Sequence, residues 1–140
     1  MSDLLATEKH PLSHRTALVF DESHSIWLYL SDPNNTKIAA DCWLLNTIKT
    51  PESISDFNSH KSPPPATAKF VSKQAQGNLP LSSQIKFLWS NNGQSVAVTI
   101  GSESLGFIAQ NSPRGFSKHI KLSGPFGSPF DIELYKTLFS

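Results

Sequence analysis

Residues 85–109 read IKFLW-SNNGQS-VAVTI-GSES-LGFIA, three runs of branched and aromatic residues separated by two turn signals. Such runs favour β-strands. Asn92-Gly93 between two of them predicts a tight type I′ hairpin, because both central positions of that turn need positive φ. The next dipeptide, Gly101-Ser102, suits a two-residue type II′ turn. The stretch therefore predicts a three-stranded antiparallel meander.

A second group of strands is predicted nearer the N-terminus. Residues 16–20 and 26–30 flank a polar turn and predict a first hairpin. After a turn cluster at residues 32–35, side chains alternate between two faces from residue 37 to residue 46, which predicts a third strand. Cys42 lies on an apolar face of that strand, the usual position of an unreactive buried thiol.

Weaker signals cover the remaining chain. Thr50-Pro51-Glu52 predicts the start of a short middle helix that ends near residue 57, and residues 68–71 and 116–122 are predicted strands. Ser128 as N-cap and Pro129 at the first helical position predict a C-terminal helix. Its apolar residues lie on two sides, so we expect it to pack across a sheet.

A chain of 140 residues has the size of one domain. Residues 1–14 show no periodicity and are predicted to form a flexible N-terminal arm, followed by a single β-rich domain over residues 15–140. We predict a mainly β fold, with α+β as the alternative. It has about seven or eight strands in an antiparallel sheet or barrel-like sandwich, a C-terminal helix and the short middle helix. The pattern does not distinguish a barrel from an open sheet.

Composition excludes several classes of protein. Hydrophobic residues make up 38 % of the chain and charged residues 16 %, far from the composition of disordered, collagen-like or coiled-coil proteins. No apolar run approaches the roughly 18 residues of a membrane span. The single cysteine cannot form an internal disulfide, and the N-terminus lacks the features of a secretory signal. We therefore expect a cytoplasmic protein with no membrane partner.

The charges are distributed unevenly along the chain. Residues 1–56 hold eight acids and four bases, a net charge of −4, whereas residues 57–130 hold seven bases and one acid, a net charge of +6. This asymmetry indicates an anionic partner if the bases gather on one surface. The lysines form no run, however, which favours mixing of the two halves over one folded surface.

The sequence lacks the usual patterns of catalytic and metal sites. Its five histidines show neither HExxH nor zinc-finger spacing. Ser95 sits in a sequence that imitates a nucleophile elbow, but it opens a strand after a hairpin instead of a helix after a strand. We predict no metal and no cofactor, and favour a non-enzymatic protein over an enzyme.

Two groups of residues are candidate binding sites. The region 112–128 combines positive charge with an aromatic ring and could hold an anionic small molecule; its few cations make nucleic acid a poor candidate. Its site residues are Arg114, Phe116, Lys118, His119 and Lys121.

The second candidate group is aromatic. Trp27 and Tyr29 share one face of their strand, and Trp43 shares a face with Asp41. Because the opposite faces are also apolar, this aromatic face is either covered by helices or exposed to a partner.

Two segments resemble small uncharacterised bacterial proteins of unknown function. They are residues 18–29, with Leu18-Val19-Phe20-Asp21 and Leu28-Tyr29, and residues 89–101. The resemblance implies a bacterial, cytoplasmic protein and no particular activity.

Two functions of different class follow from these patterns. The first is a non-enzymatic interaction protein that binds another protein through its aromatic face, in the manner of an immunity or antitoxin protein. The alternative is a domain that binds an anionic small molecule, or an enzyme, using the region 112–128. The oligomeric state is not predicted.

Overall fold

Two β-sheets and one C-terminal helix make up the computed structural model, which describes residues 2–53 and 63–140. The sheets contain four and five strands, so the mainly β prediction is confirmed, with nine strands instead of seven or eight. The only α-helix of the described residues has eight residues, and none is long and apolar enough to cross a membrane.

The first sheet is antiparallel and follows the chain order. Its strands are β1 (Asp3–Lys9), β2 (Thr16–Asp21), β3 (Ser25–Ser31) and β4 (Ile38–Asn46). The predicted hairpin and third strand are β2, β3 and β4. The flexible arm predicted for residues 1–14 is wrong, because β1 pairs with β2 along its length.

The second sheet contains the predicted meander. β5 (Ile85–Trp89), β6 (Val96–Ile100) and β7 (Glu103–Ile108) pair antiparallel in that order. β8 (Phe116–Ser117) pairs antiparallel with β7, and β9 (Ser128–Pro129) pairs parallel with β8.

The turn between β5 and β6 differs from the prediction. Only Gly93 has positive φ (69°) in this loop, so it is not a type I′ turn. The Asn92 side chain instead accepts a hydrogen bond from the Gln94 amide at 3.0 Å, and Ser90 pairs with Ser95 across a longer loop. The turn at Gly101 (φ 68°) joins β6 to β7 in two residues, as predicted.

Two predicted strands are mostly loops. Of the strand predicted over residues 116–122, only the two residues of β8 are a strand. Residues 68–71 form a turn instead, in which the Phe70 amide donates a hydrogen bond to the Thr67 carbonyl. The two segments still meet, through an isolated bridge between Val71 and Ile120. Val71 and Ile120 are both buried in the cluster that covers the outer face of the first sheet.

The predicted helices also need correction. α1 (Ile132–Phe139) is capped by Asp131, whose carboxylate accepts from the Leu134 amide at 3.0 Å. Ser128 and Pro129 are not its start, because they form β9. Thr50 to Ser53 are not helical, and the rest of the predicted middle helix lies on residues 54–57, outside the described residues.

The sheets pack as a barrel-like sandwich with both outer faces covered. Their inner faces share one core, which includes Leu28, Cys42 and Val98. On one side β4 also hydrogen-bonds to the loop before β8, through Asp41 and Gly115. Loops over residues 66–75 and 120–126 cover the outer face of the first sheet, and α1 covers that of the second.

Candidate functional site

The predicted aromatic site is buried. Trp27 is 4 % exposed and Trp43 is 0 % exposed, and both pack against loop residues such as Val71 and Phe126. Tyr29 stacks on Trp27 with ring centroids 6.3 Å apart. The cover consists of loops instead of helices, and it leaves almost no surface of Trp27 and Trp43 for a partner.

The polar atoms of the aromatic site are satisfied internally. Trp27 donates from Nε1 to Ser25 at 2.8 Å, and Trp43 donates from Nε1 to Asn46 at 3.0 Å. The Tyr29 hydroxyl donates to Glu22, and burial raises the pKa of Tyr29 so that it keeps this proton. These side chains therefore have internal roles.

Arg114 and Phe116 hold the fold together on one side of the 112–128 region. The Arg114 guanidinium lies 3.8 Å from the Asp41 carboxylate and donates to the Pro125 carbonyl. Phe116 stacks on Phe107 with centroids 4.8 Å apart, next to α1. Neither side chain lines the clefts that contain the other three predicted residues.

Lys118 and His119 line a cleft of about 510 Å³ between the second sheet and the covering loops, here called the histidine cleft. Lys118 lies 2.9 Å from one Glu103 oxygen and His119 lies 3.7 Å from the other. The His119 side chain is 12 % exposed, and burial lowers the pKa of His119 while Glu103 opposes that shift. Other lining residues are Leu45, Ser72, Gln76, Ile100 and Leu105.

Lys121 belongs to a neighbouring cleft of about 400 Å³, here called the lysine cleft. Lys49 and Lys73 line it as well, and none of its described lining residues is acidic. Among residues 2–53 and 63–140, none of the three lysines forms an ion pair. Ser72 and Gln76 line both clefts, so the two lie side by side.

The covering loops create this arrangement. Val71 and Ala75 are buried in the aromatic core, and a 3₁₀ turn between them, Lys73–Ala75, turns Lys73 outward. The Ser72 amide donates a hydrogen bond to the His119 carbonyl at 2.8 Å. The Lys121 amide donates one to the Phe70 carbonyl, also at 2.8 Å. Two loops distant in sequence are thereby fixed against each other, with their basic side chains on one surface.

Sequence reasoning missed two members of the lysine cleft. Lys49 follows β4 in the acidic part of the chain, and Lys73 stands alone among polar residues. No local pattern identifies either one, since only the crossing of three loops brings them near Lys121.

Other reactive candidates have structural surroundings. Cys42 is fully buried, and burial raises the pKa of its thiol, which suits an unreactive core residue. The Ser95 hydroxyl, just before β6, accepts a hydrogen bond at 2.9 Å from the amide of Gln110, which follows β7. The described part of the chain holds no group of three or more metal-ligating side chains.

The chain matches no protein-family model, no curated protein and no solved structure.

Proposed function

We propose that this protein is a non-enzymatic binding domain that holds an anionic small molecule in the lysine cleft. The observation that carries the proposal is the convergence of Lys49, Lys73 and Lys121 on one cleft whose described lining residues include no acid. Three ammonium groups around one cavity repel each other, and an anion between them relieves that repulsion.

Neutral donors complete the proposed site. Thr50, Ser72 and Gln76 line the same cleft and can donate hydrogen bonds to the oxygens of a phosphate, sulfate or carboxylate. A cleft of about 400 Å³ falls in the size range of small-molecule sites. Charge and donors together fit an oxyanion better than an apolar ligand.

The interaction-protein hypothesis has weaker support. Its aromatic face is covered, which leaves the edges of the sheets, such as β1, for pairing with another chain. A bulge near Leu5 and the charges of Glu8 and Lys9 interrupt that edge, and natural proteins use such features to prevent edge pairing. Binding of a protein partner stays a prediction.

Reversing two of the three lysine charges tests the proposed site. At low ionic strength we expect Lys73→Glu with Lys121→Glu to weaken binding of inorganic phosphate at least about tenfold, since repulsion replaces attraction. Isothermal titration calorimetry measures the affinity, and the shift in melting temperature with phosphate concentration provides an independent check.

The matched control changes the same number of charges elsewhere. Lys86 on β5 and Lys136 on α1 are exposed and line neither cleft. Lys86→Glu with Lys136→Glu should retain phosphate affinity within about twofold, because exposed distant charges are screened. Equal weakening by both pairs would show that only net charge matters, and absence of phosphate binding by the unmodified protein would refute the site.

A further inference from the structure

We infer that the ligand carries two phosphate groups, one held in the lysine cleft and one in the histidine cleft, and that it is a small molecule. This inference rests on the proposed function of the lysine cleft. It adds a second subsite, with His119 as the residue that distinguishes a ligand with two phosphate groups from a ligand with one.

The two clefts are joined by a common wall. Ser72 and Gln76 line both, and basic groups lie on either side of that wall: Lys73 and Lys121 in one cleft, His119 in the other. Ser72 is held in place because its backbone amide donates a hydrogen bond to the His119 carbonyl. A ligand that crosses the wall therefore meets a basic side chain at each end.

Ser72 provides a second observation at this junction. Its hydroxyl oxygen is buried and has no hydrogen-bond partner among the described residues. Buried hydroxyls without partners are uncommon because they lose their bonds to water. A rotation about its one side-chain torsion would direct the hydroxyl to a ligand oxygen at the junction, which would supply the missing partner.

The charge of the histidine cleft depends on His119. Glu103 faces both Lys118 and His119, while Gln74 and Gln76 on the covering loop and Leu45, Ile100 and Leu105 of the sheets add no charge. With His119 neutral, Lys118 and Glu103 cancel. Protonated His119 leaves the cleft with a net positive charge, so the second subsite binds an anion best at low pH.

The lining residues favour a small molecule over a nucleic-acid strand. Single-stranded nucleic acids bind by stacking their bases on aromatic side chains along a basic groove. Among the described residues, no Phe, Tyr or Trp lines either cleft. A compound with two linked phosphates uses the lysine cleft and, when His119 is protonated, the histidine cleft, without needing a stacking surface.

Calorimetry with inorganic phosphate and pyrophosphate tests the second subsite. At about pH 5.5 we expect the unmodified protein to bind pyrophosphate at least about tenfold more tightly than phosphate. His119→Gln should reduce that preference to about threefold or less, and Lys73→Gln should weaken both ligands. Lys118→Gln should also reduce the preference for pyrophosphate. Because Lys118 is more exposed than His119, this variant replaces His119→Gln as the test if His119→Gln does not fold.

The pH dependence separates His119 from the titration of the ligands. Phosphate and pyrophosphate change their own protonation between about pH 5.5 and pH 8, but this change is the same for every variant. Because burial lowers the pKa of His119, we expect the pyrophosphate affinity of the unmodified protein, divided by that of His119→Gln, to rise only when the pH falls below the ordinary histidine pKa of about 6.5. A ratio independent of pH would refute the role of His119.

Failure of this inference is distinguishable from failure of the proposed function. Equal affinity for phosphate and pyrophosphate, both weakened by Lys73→Gln, would refute the second subsite and retain the lysine cleft. Binding of neither ligand would refute both. Tighter binding of a ten-nucleotide oligothymidylate than of pyrophosphate would refute the small-molecule ligand.

Discussion

Replacing Asn46 with alanine is expected to lower the free energy of unfolding by about 4 kcal/mol, because three buried polar groups lose their partners at once. Asn46 is fully buried at the end of β4. Its side-chain oxygen accepts from Trp43 Nε1 at 3.0 Å and from the Ala66 amide at 2.9 Å, and its nitrogen donates to the Ala66 carbonyl at 2.9 Å.

These bonds attach the covering loops to the first sheet. Ala66 is the first buried residue of the aromatic cluster after the undescribed segment, and it has 0 % exposure. Without the amide of Asn46, the Ala66 backbone must either remain unpaired or leave the core. The second outcome exposes Trp43 and loosens the loop that carries Lys73, so the variant should also lose phosphate affinity.

Chemical denaturation monitored by tryptophan fluorescence measures the expected change. For a chain of this size the melting temperature should fall by about 12 °C. Asn34→Ala, in an exposed turn, is the matched control and should change stability by less than about 0.5 kcal/mol. If Asn46→Ala lowered the free energy of unfolding by only about 1 kcal/mol or less, water would be replacing the Asn46 side-chain amide. The covering loops would then not depend on Asn46.

The meander was predictable because its information is local. Alternation within β5, β6 and β7, with glycine at each connection, specifies strands that are also neighbours in the sheet. β1 carries no such signal, since its sequence mixes charged and apolar residues without a clear period. It becomes a strand by pairing with β2, which no pattern within residues 3–9 reveals.

The candidate site was predictable only in part. Arg114, Phe116, Lys118, His119 and Lys121 were grouped because they are close in sequence. The structure divides them, because the chain turns after β8 and directs successive side chains to different surfaces. The prediction of a single basic region therefore named Lys118, His119 and Lys121 but could not supply Lys49 and Lys73.

The aromatic face shows a different reason for failure. Its residues were placed correctly on one side of β3 and β4, where Trp27 pairs with Trp43. What covers that side depends on loops whose sequences have no strand or helix period. Single buried residues such as Ala66, Val71 and Ala75 attach them, and a sequence pattern does not distinguish these from exposed loop residues.

Gly115→Ala is expected to destabilise the protein by about 3 kcal/mol, although φ at this glycine is not positive. The loss of stability comes from steric overlap at the point where β4 meets the loop before β8. An added methyl carbon would lie 2.6 Å from Cys42 Sγ and 2.9 Å from the Phe107 carbonyl oxygen, and it would also overlap Cys42 Cβ. Gly115 itself is held in place, because its amide donates a hydrogen bond to the Asp41 carbonyl at 2.7 Å.

Gly77→Ala is the matched control for Gly115→Ala. A methyl group at Gly77 would lie 3.4 Å from Leu45, an ordinary contact, so its effect should stay within about 1 kcal/mol. Cys42→Gly removes both atoms of Cys42 that the new methyl would meet. Combined with Gly115→Ala, it should show a coupling free energy of at least about 1 kcal/mol in favour of the double variant.

The double-mutant result decides what positions the histidine cleft. If the two substitutions couple, close packing of Cys42 against Gly115 fixes the chain that continues through β8 to Lys118 and His119. If they are additive, the cost lies instead at the Phe107 carbonyl, and β8 is placed by its other contacts, such as its pairing with β7 and β9. The same purified variants then report whether pyrophosphate affinity follows the stability of this junction, since His119 lies only four residues beyond Gly115.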